Sequence, residues 1–184
     1  MTASDDNEKD ILLWSHFKNG DAESFVSIFR NYYSNLFNYG YKITTDVNLI
    51  EDCIQELFID LWRSNGKADI LSLKGYLFSA LKFKLIKAVT KSGHTNTYTS
   101  EVHETAFEIS REMLLINDEE NKELNQKVFN AIEELSPRQK EIIYLKFNQD
   151  FSYEQISQIM HISYQAARNL LYQSIKILKK IVAS

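Results

Sequence analysis

The stretch from Leu135 to Lys180, LSPRQKEIIYLKFNQDFSYEQISQIMHISYQAARNLLYQSIKILKK, decides the fold of the C-terminal part of this chain. It contains the spacing Ser-x-x-Gln twice, at Ser136–Gln139 and Ser152–Gln155, and Pro137 follows the first serine. A serine with glutamine three residues later satisfies free N–H groups at a helix start, and proline fits the first helical position. The stretch therefore predicts two short helices, a tight connection and a third helix that Ser163 caps, which is the helix-turn-helix pattern.

The last of these predicted helices has two different faces. Its apolar side carries Ala167, Leu170, Leu171, Ser174, Leu178 and Ile181. Its polar side carries Gln165, Arg168, Asn169, Tyr172, Lys176 and Lys179. Glutamine and asparagine amides pair bidentately with adenine, and arginine with guanine, in the major groove. We therefore predict that the polar face reads duplex DNA. The alternative is a solvated amphipathic helix whose terminal lysines complement the helix dipole.

The composition favours a helical protein of the cytoplasm. The 184 residues are 44% hydrophobic, with one proline and five glycines, and so few turn-forming residues favour long helices over strands. Cys53 is the single cysteine, which excludes an intramolecular disulfide and suggests a reducing compartment. The N-terminus is acidic where a signal peptide would be basic, and no apolar run is long enough to cross a bilayer. We therefore expect a cytoplasmic protein without membrane insertion.

Apolar periodicity predicts an all-α fold of two small helical domains joined by a polar linker. Helices are expected near 11–17, 25–43, 48–63 and 73–89, and again over 118–135. The third of them is expected to be capped by Asn48 and Glu51. The polar residues 92–117 are interpreted as the linker, with one helical turn around Phe107–Leu115. The domains are then 8–91, an N-terminal helical bundle, and 118–184, the helix-turn-helix domain.

The charge alternates along the chain although the formal net charge is -4. Residues 67–92 hold six lysines and one aspartate, whereas the segments on either side of them are strongly acidic. The C-terminal residues 126–184 are again basic. An acidic protein with local basic patches can still bind phosphates at those patches.

Residue patterns for catalysis or metal binding are absent from the sequence. The four histidines, His16, His94, His103 and His161, are scattered, and there is no His-Glu-x-x-His sequence, cysteine pair or glycine-rich phosphate loop. We therefore predict no metal, no cofactor and no enzymatic activity. Cys53 falls on the apolar side of its helix and is expected in the core.

Three N-terminal stretches add to the C-terminal one: GDAESFVSIFRNYYSNLFNYGYKI from residue 20, IEDCIQELFIDLWRSN from residue 50 and SLKGYLFSALKFKLIK from residue 72. Together, in this order, they resemble the extracytoplasmic-function group of the sigma-70 family of bacterial RNA polymerase sigma factors. The resemblance implies that 8–91 is sigma domain two, which docks on core polymerase and opens the minus-ten element. It implies that 118–184 is sigma domain four, which binds the minus-thirty-five element. The acidic linker 92–117 would imitate RNA near the polymerase active site, or be a plain tether.

The resemblance also implies roles for individual residues. Docking on core polymerase would involve Asp52, Gln55, Glu56, Asp60 and Trp62. Binding of the minus-ten strand would involve Lys74, Tyr76, Lys82, Lys84 and Lys87. Binding of the minus-thirty-five duplex would involve Ser163, Tyr164, Gln165, Arg168, Asn169, Tyr172 and Lys176. Three of the docking carboxylates stand four residues apart, a mutual repulsion that a basic partner surface would offset, and the alternative is a solvated acidic face.

The expected partners are core RNA polymerase, promoter DNA and an anti-sigma factor. Three departures from the family pattern affect promoter choice. Lys82-Phe83-Lys84 stands where the family has Arg-Asn-Arg, and Gln173 stands where it has arginine. His161 replaces a common glycine, so it is expected to adopt an unusual backbone conformation.

Two other classes of protein fit parts of the sequence. An autonomous two-domain transcriptional regulator would use the last helix without needing a polymerase-docking surface. An adaptor or anti-sigma-type protein would contact proteins alone, and Arg168→Ala would then leave its function intact. Co-elution with core polymerase separates the sigma factor from the autonomous regulator.

Overall fold

The structure is a computed structural model that describes residues 3–64, 66, 70, 72–92, 107–109 and 122–182. Within these ranges the regular elements are all helical. The chain divides into two compact units at residue 101, except that residues 158–160 group with the first unit. The prediction of an all-α protein with two helical domains is therefore confirmed.

The first unit is a bundle of four helices. They are α1 (Ala3–Lys18), α2 (Ala22–Ile43), α3 (Val47–Ser64) and α4 (Leu73–Ser92). The helix α2 packs against the other three, and α4 also contacts α1 and α3. The helices α2 and α3 show the apolar periodicity that the sequence predicts, because each buries one face and exposes the other.

The core of this bundle is filled by aliphatic and aromatic side chains at helical spacing. Fully buried members include Phe17, Ile28, Leu36, Tyr39, Ile50, Ile54, Leu61, Leu77, Phe78 and Leu81. At Gly40 the helices approach so closely that an added Cβ would lie 2.9 Å from Cγ2 of Ile50 and 3.4 Å from Cδ1 of Leu85. Cys53 is buried, as expected, and burial raises the pKa of its thiol.

The starts of α2 and α3 show how the helices are delimited. Asp21 caps α2, since its carboxylate accepts hydrogen bonds from the N–H groups of Glu23 and Ser24 at 3.1 and 3.2 Å. The expected cap pair Asn48–Glu51 is wrong. The helix α3 begins at Val47, and Asp46 accepts from the N–H of Leu49 at 3.1 Å. An aspartate two residues earlier outcompetes asparagine because it also carries the charge that a helix N-terminus favours.

The second unit contains α5 (Lys122–Glu133), α6 (Pro137–Ile143), a π-helical segment (Tyr144–Asn148), α7 (Tyr153–Met160) and α8 (Tyr164–Val182). Residues 118–121 of the predicted fifth helix lie outside the described residues. The helix α8 packs against both α5 and α6. The predicted capping box at α6 is confirmed, with the Gln139 side chain accepting from the N–H of Ser136 at 3.0 Å and Ser136 Oγ accepting in return at 3.4 Å.

A short piece of the predicted linker belongs to the second unit. Phe107 and Ile109 are buried, and the Phe107 ring lies 5.7 Å from the ring of Tyr144. Glu108 pairs with the buried Lys140 at 3.3 Å. Residues 107–109 are not helical, so the helical turn expected to start at Phe107 is wrong for these three residues. Residues 110–115 of that turn lie outside the described residues.

None of the helices in the described ranges combines the length and the apolar character that a bilayer crossing needs. Histidine, cysteine, aspartate and glutamate side chains in the same ranges do not gather into a group of three that would hold a metal ion.

Candidate nucleic-acid interface

The helices α7 and α8 form a helix-turn-helix whose geometry is set by two helix caps and one turn residue. Ser152 and Gln155 form a second capping box at α7, with the Ser152 N–H donating to Gln155 Oε1 at 2.8 Å. Ser163 caps α8 by accepting from the N–H of Ala166 at 3.1 Å. Between the helices, His161 has φ 52°, the left-handed conformation predicted from its replacement of glycine.

One face of α8 is buried and holds the helix in place. Ala167, Leu171 and Ser174 are buried on this face, and Ser174 Oγ donates to the carbonyl of Leu170 at 2.8 Å. The hydroxyl is therefore satisfied within the helix, and the face packs as an apolar stripe. Because this stripe fixes the rotation of α8, the opposite face points to solvent.

The residues predicted to bind the minus-thirty-five element lie on that opposite face or, for Ser163 and Tyr164, at the start of α8. The exposed members are Ser163, Tyr164, Gln165, Arg168, Asn169, Tyr172 and Lys176. Gln165 Nε2 donates to Asn169 Oδ1 at 3.1 Å. This bond does not use the Gln165 oxygen, an acceptor, or the Asn169 amide protons, which are donors one helical turn away. Adenine presents a complementary donor and acceptor in the major groove.

A chain of aromatic and cationic side chains lies beside this face. Two of its members, Tyr164 and Arg168, were predicted as site residues, whereas Tyr153 and Lys146 were not. The Tyr164 ring is 5.8 Å from the ring of Tyr153 in an edge-to-face arrangement, and the Arg168 guanidinium carbon is 6.0 Å from the Tyr164 centroid. Lys146 Nζ lies 5.6 Å from the Tyr153 centroid on the other side. Tyr164 and Arg168 are four residues apart on one helix, and this spacing alone could have predicted their contact.

The residues predicted to dock on polymerase lie on the exposed side of α3. Asp52, Gln55, Glu56, Asp60 and Trp62 are all exposed. Trp62 is 50% exposed, and its ring packs 4.9 Å from the ring of Phe25 and 6.2 Å from that of Phe17. The exposed side of α3 therefore presents both an aromatic side chain and carboxylates.

The acidic row is partly neutralised from within the unit. Lys84 Nζ on α4 lies 2.6 Å from Asp60 Oδ2 and 3.5 Å from Glu56 Oε2. Burial alone would lower the pKa of Lys84, but the hydrogen bond and charge of Asp60, with the charge of Glu56, raise it overall. The repulsion between the stacked carboxylates is thus offset by this chain itself, before any partner binds.

The residues predicted to bind the minus-ten strand differ in accessibility. Lys87 is exposed, Lys74 is half-buried, and Tyr76 is half-buried with its ring 6.4 Å from that of Trp14. Lys84 is engaged as described above. Lys82 is buried, with 5% of its surface exposed, so in this conformation it does not present its amine to a strand as the prediction required. Phe83, at the family's asparagine position, is instead 61% exposed.

Two family models match this chain, and they match its two units separately. The model described as Sigma-70 region 2 matches residues 28–95. The model described as Sigma-70, region 4 matches residues 125–178. Together they cover two thirds of the chain.

The chain belongs to the sigma-70 family. It is an RNA polymerase sigma factor. Membership of the extracytoplasmic-function group stays a prediction. The region 2 match removes the main support for an autonomous regulator, because such a protein would not need the N-terminal unit that this model describes.

Solved structures share the fold of this sigma factor. CnrH, in complex with the cytosolic domain of CnrY, aligns with a TM-score of 0.59 at 14% identity, covering 95% of this chain and 97% of CnrH. The sigma factor RpoE, in complex with the anti-sigma factor NepR from Bartonella quintana, aligns with a TM-score of 0.56 at 18% identity, covering 88% of this chain and 98% of RpoE. No curated protein sequence matches the chain closely enough to serve as a relative.

Proposed function

We propose that this sigma factor uses three separate surfaces to start transcription. The α3 surface of Asp52, Gln55, Glu56, Asp60 and Trp62 docks on core RNA polymerase. The α4 residues Lys74, Tyr76, Lys84 and Lys87 contact the opened minus-ten strand. The α8 face of Ser163, Tyr164, Gln165, Arg168, Asn169, Tyr172 and Lys176 reads the minus-thirty-five duplex. The protein acts by binding core polymerase and promoter DNA and orienting them relative to each other, in the cytoplasm.

The observation that carries this proposal is the exposure of the α8 polar face directly after the capped turn. Gln165, Arg168 and Asn169 stand together on the solvent side, while Ala167 and Leu171 hold the other side against the unit. Side chains at the N-terminal end of a recognition helix are those that reach base edges in a helix-turn-helix. Lys176 lies further along α8 and suits phosphate contact, which positions a protein without specifying sequence.

Strand binding by α4 rests on a combination of charge and aromatic surface. Lys87 and the exposed Phe83 lie one helical turn apart, a pairing suited to single-stranded DNA, where bases stack on aromatic rings and lysines meet phosphates. Lys84 joins them when Asp60 and Glu56 are taken up by a basic partner. Lys82 is omitted from this proposal because it is buried.

A protein inhibitor of the anti-sigma class is proposed as a further partner. The two aligned sigma factors were solved as complexes, CnrH with the cytosolic domain of CnrY and RpoE with the anti-sigma factor NepR. The likeness of fold over nearly the whole chain supports an equivalent partner for this protein. Co-purification of the full chain from its own cells, followed by release of a bound inhibitor of transcription, tests this part.

Transcription with purified components tests the proposal directly. Core polymerase should begin at specific sites on a genomic fragment library when the protein is added, and sequencing the transcript 5′ ends gives the shared upstream elements. Arg168→Ala or Gln165→Ala should cost about 1–3 kcal/mol at one base pair of the upstream element. Absence of any start-site selectivity with the unaltered protein would reject the proposal.

A further inference from the structure

The side chain of Arg168 is held by a stack that begins outside its own helix. Lys146 Nζ donates to the carbonyl of Phe151 at 3.1 Å and lies 5.6 Å from the Tyr153 ring centroid. The Tyr153 ring meets the Tyr164 ring at 5.8 Å and 69°, and Tyr164 lies under the Arg168 guanidinium at 6.0 Å. Four side chains from the π-helical segment, α7 and α8 thus form one continuous series.

This series joins the two helices of the helix-turn-helix at their starts. Tyr153 is the first residue of α7 and Tyr164 is the first residue of α8. Each helix start is fixed by its own serine cap, so the two rings are carried on rigid supports. An edge-to-face contact between rings on rigid supports fixes the direction in which the Tyr164 face points.

An exposed arginine otherwise samples many rotamers, and ordering it on binding costs conformational entropy. Arg168 is exposed, and its guanidinium lies at the limit of cation–π distance from the Tyr164 face. A guanidinium that already stacks on a ring is restricted to fewer directions, so less entropy is lost when it pairs with a base. The supporting ring then influences base reading without touching DNA.

We propose that Tyr153, acting through Tyr164, is a positioning residue that orients Arg168 for reading one base pair of the upstream element. The ligand of the oriented guanidinium is guanine in duplex DNA, the base that arginine pairs with bidentately. This inference rests on the proposed function, because it concerns the same α8 face. It assigns a role in specificity to Tyr153, which belongs to α7 and not to the polar face of α8.

The test is selection of duplex DNA from a pool randomised over the upstream element, using core polymerase with the full-length protein. Arg168→Ala identifies the base pair that Arg168 reads. Tyr153→Leu should then lower the preference at that base pair about two- to five-fold, the size of an exposed cation–π contribution, with the other positions unchanged. Tyr153→Phe keeps the ring and should keep the preference. Tyr153→Leu added to Arg168→Ala should change the preference no further.

Phe147→Leu is the matched control, since Phe147 is an exposed aromatic residue of the same unit outside the stack. Thermal unfolding of each variant separates positioning from stability. If Tyr153→Leu lowers affinity equally for all sequences, or leaves the preference at the Arg168 base pair intact, the positioning role is overturned and the proposed function stands. If the unaltered protein selects no sequence with core polymerase, both fail together.

Discussion

Lys84 Nζ lies 2.6 Å from Asp60 Oδ2, so α4 supplies a cation to the acidic surface of α3. The pair joins two surfaces that the sequence had assigned to different partners, DNA for Lys84 and polymerase for Asp60. Glu56 is the second carboxylate within reach of the same amine, at 3.5 Å. Any basic partner that binds this carboxylate pair must therefore compete with Lys84.

The Lys84–Asp60 pair is expected to contribute modestly to the stability of the first unit. The Lys84 side chain is 20% exposed and the Asp60 side chain 59%, so solvent screens the attraction. A double-mutant cycle with Lys84→Met and Asp60→Asn should give a coupling of about 0.5–1 kcal/mol that shrinks at high salt. Both tryptophans, Trp14 and Trp62, lie in the first unit, so urea unfolding followed by tryptophan fluorescence reports this unit alone.

A control double-mutant cycle uses Lys87→Met in place of Lys84→Met. Lys87 is an exposed lysine three residues further along α4. The effects of Lys87→Met and Asp60→Asn should be additive because the described residues show no ion pair between them. Equal couplings in the two cycles would contradict a specific Lys84–Asp60 interaction.

Reversing charges on α3 should weaken binding to core polymerase without unfolding the protein. Asp52 and Glu56 are exposed, so Asp52→Lys with Glu56→Lys places cations where a basic partner surface is expected. Opposing like charges at an interface cost several kcal/mol, and we expect at least a ten-fold rise in the dissociation constant, about 1.4 kcal/mol. Fluorescence anisotropy of the labelled protein titrated with core polymerase measures it.

Glu134→Lys gives the control for charge reversal, since Glu134 is an exposed carboxylate of the second unit and not a member of the predicted docking surface. Its affinity for core polymerase should match that of the unaltered protein. An equal loss in both variants would indicate a general electrostatic effect, and no loss in the α3 variant would remove α3 from the docking surface.

The second unit should lose stability at alkaline pH through Tyr144. Burial raises the pKa of Tyr144 to about 12, partly opposed by its hydrogen bond from Gln149, compared with 10.0 for a free tyrosine. Below pH 10 the hydroxyl is neutral in both the folded and the unfolded state, so its contribution to stability is fully present. As the pH rises from 10 to 12 only the unfolded state ionises, so about 2–3 kcal/mol is lost.

Tyr144→Phe should remove this part of the alkaline destabilisation, at a cost of about 1 kcal/mol at neutral pH from the lost hydrogen bond. Urea midpoints from far-ultraviolet circular dichroism, taken between pH 8 and pH 12, compare the two proteins. Tyr172→Phe is the control, because Tyr172 is 69% exposed and should leave the pH dependence unchanged. Parallel pH profiles for Tyr144→Phe and the unaltered protein would contradict the assignment.

The sequence predicted the helices well because periodicity and caps are local signals. The serine caps Ser136, Ser152 and Ser163 each depend on residues within three positions, and all three are found as expected. The exposure of the polar residues of α8 could be predicted for the same reason, since spacing determines which residues share one helix face. The cap of α3 failed because two local candidates competed, and Asp46 lies outside the apolar pattern that drew attention to Asn48.

Contacts between different helices could not be predicted from the local spacing of residues. Nothing in the spacing of Lys82 and Lys84 indicates that one is buried and the other pairs with carboxylates on α3. Phe107 and Ile109 stand in a polar stretch, where two isolated apolar residues do not indicate that they pack with the second unit. Tyr153 had no predicted role, because its ring contact with Tyr164 depends on the turn that brings two helix starts together.

The turn itself offers the last prediction, since His161 adopts φ 52° between α7 and α8. A side chain in this left-handed region costs about 1–2 kcal/mol, which glycine avoids, although glycine loses about 0.5–1 kcal/mol through the flexibility of the unfolded chain. His161→Gly should therefore stabilise the second unit by about 0.5–1 kcal/mol. His161→Val should destabilise it, because β-branched residues tolerate this conformation least. Urea unfolding followed by circular dichroism measures both, and a loss of stability in His161→Gly would show that the histidine side chain makes a contact worth more than the strain it imposes.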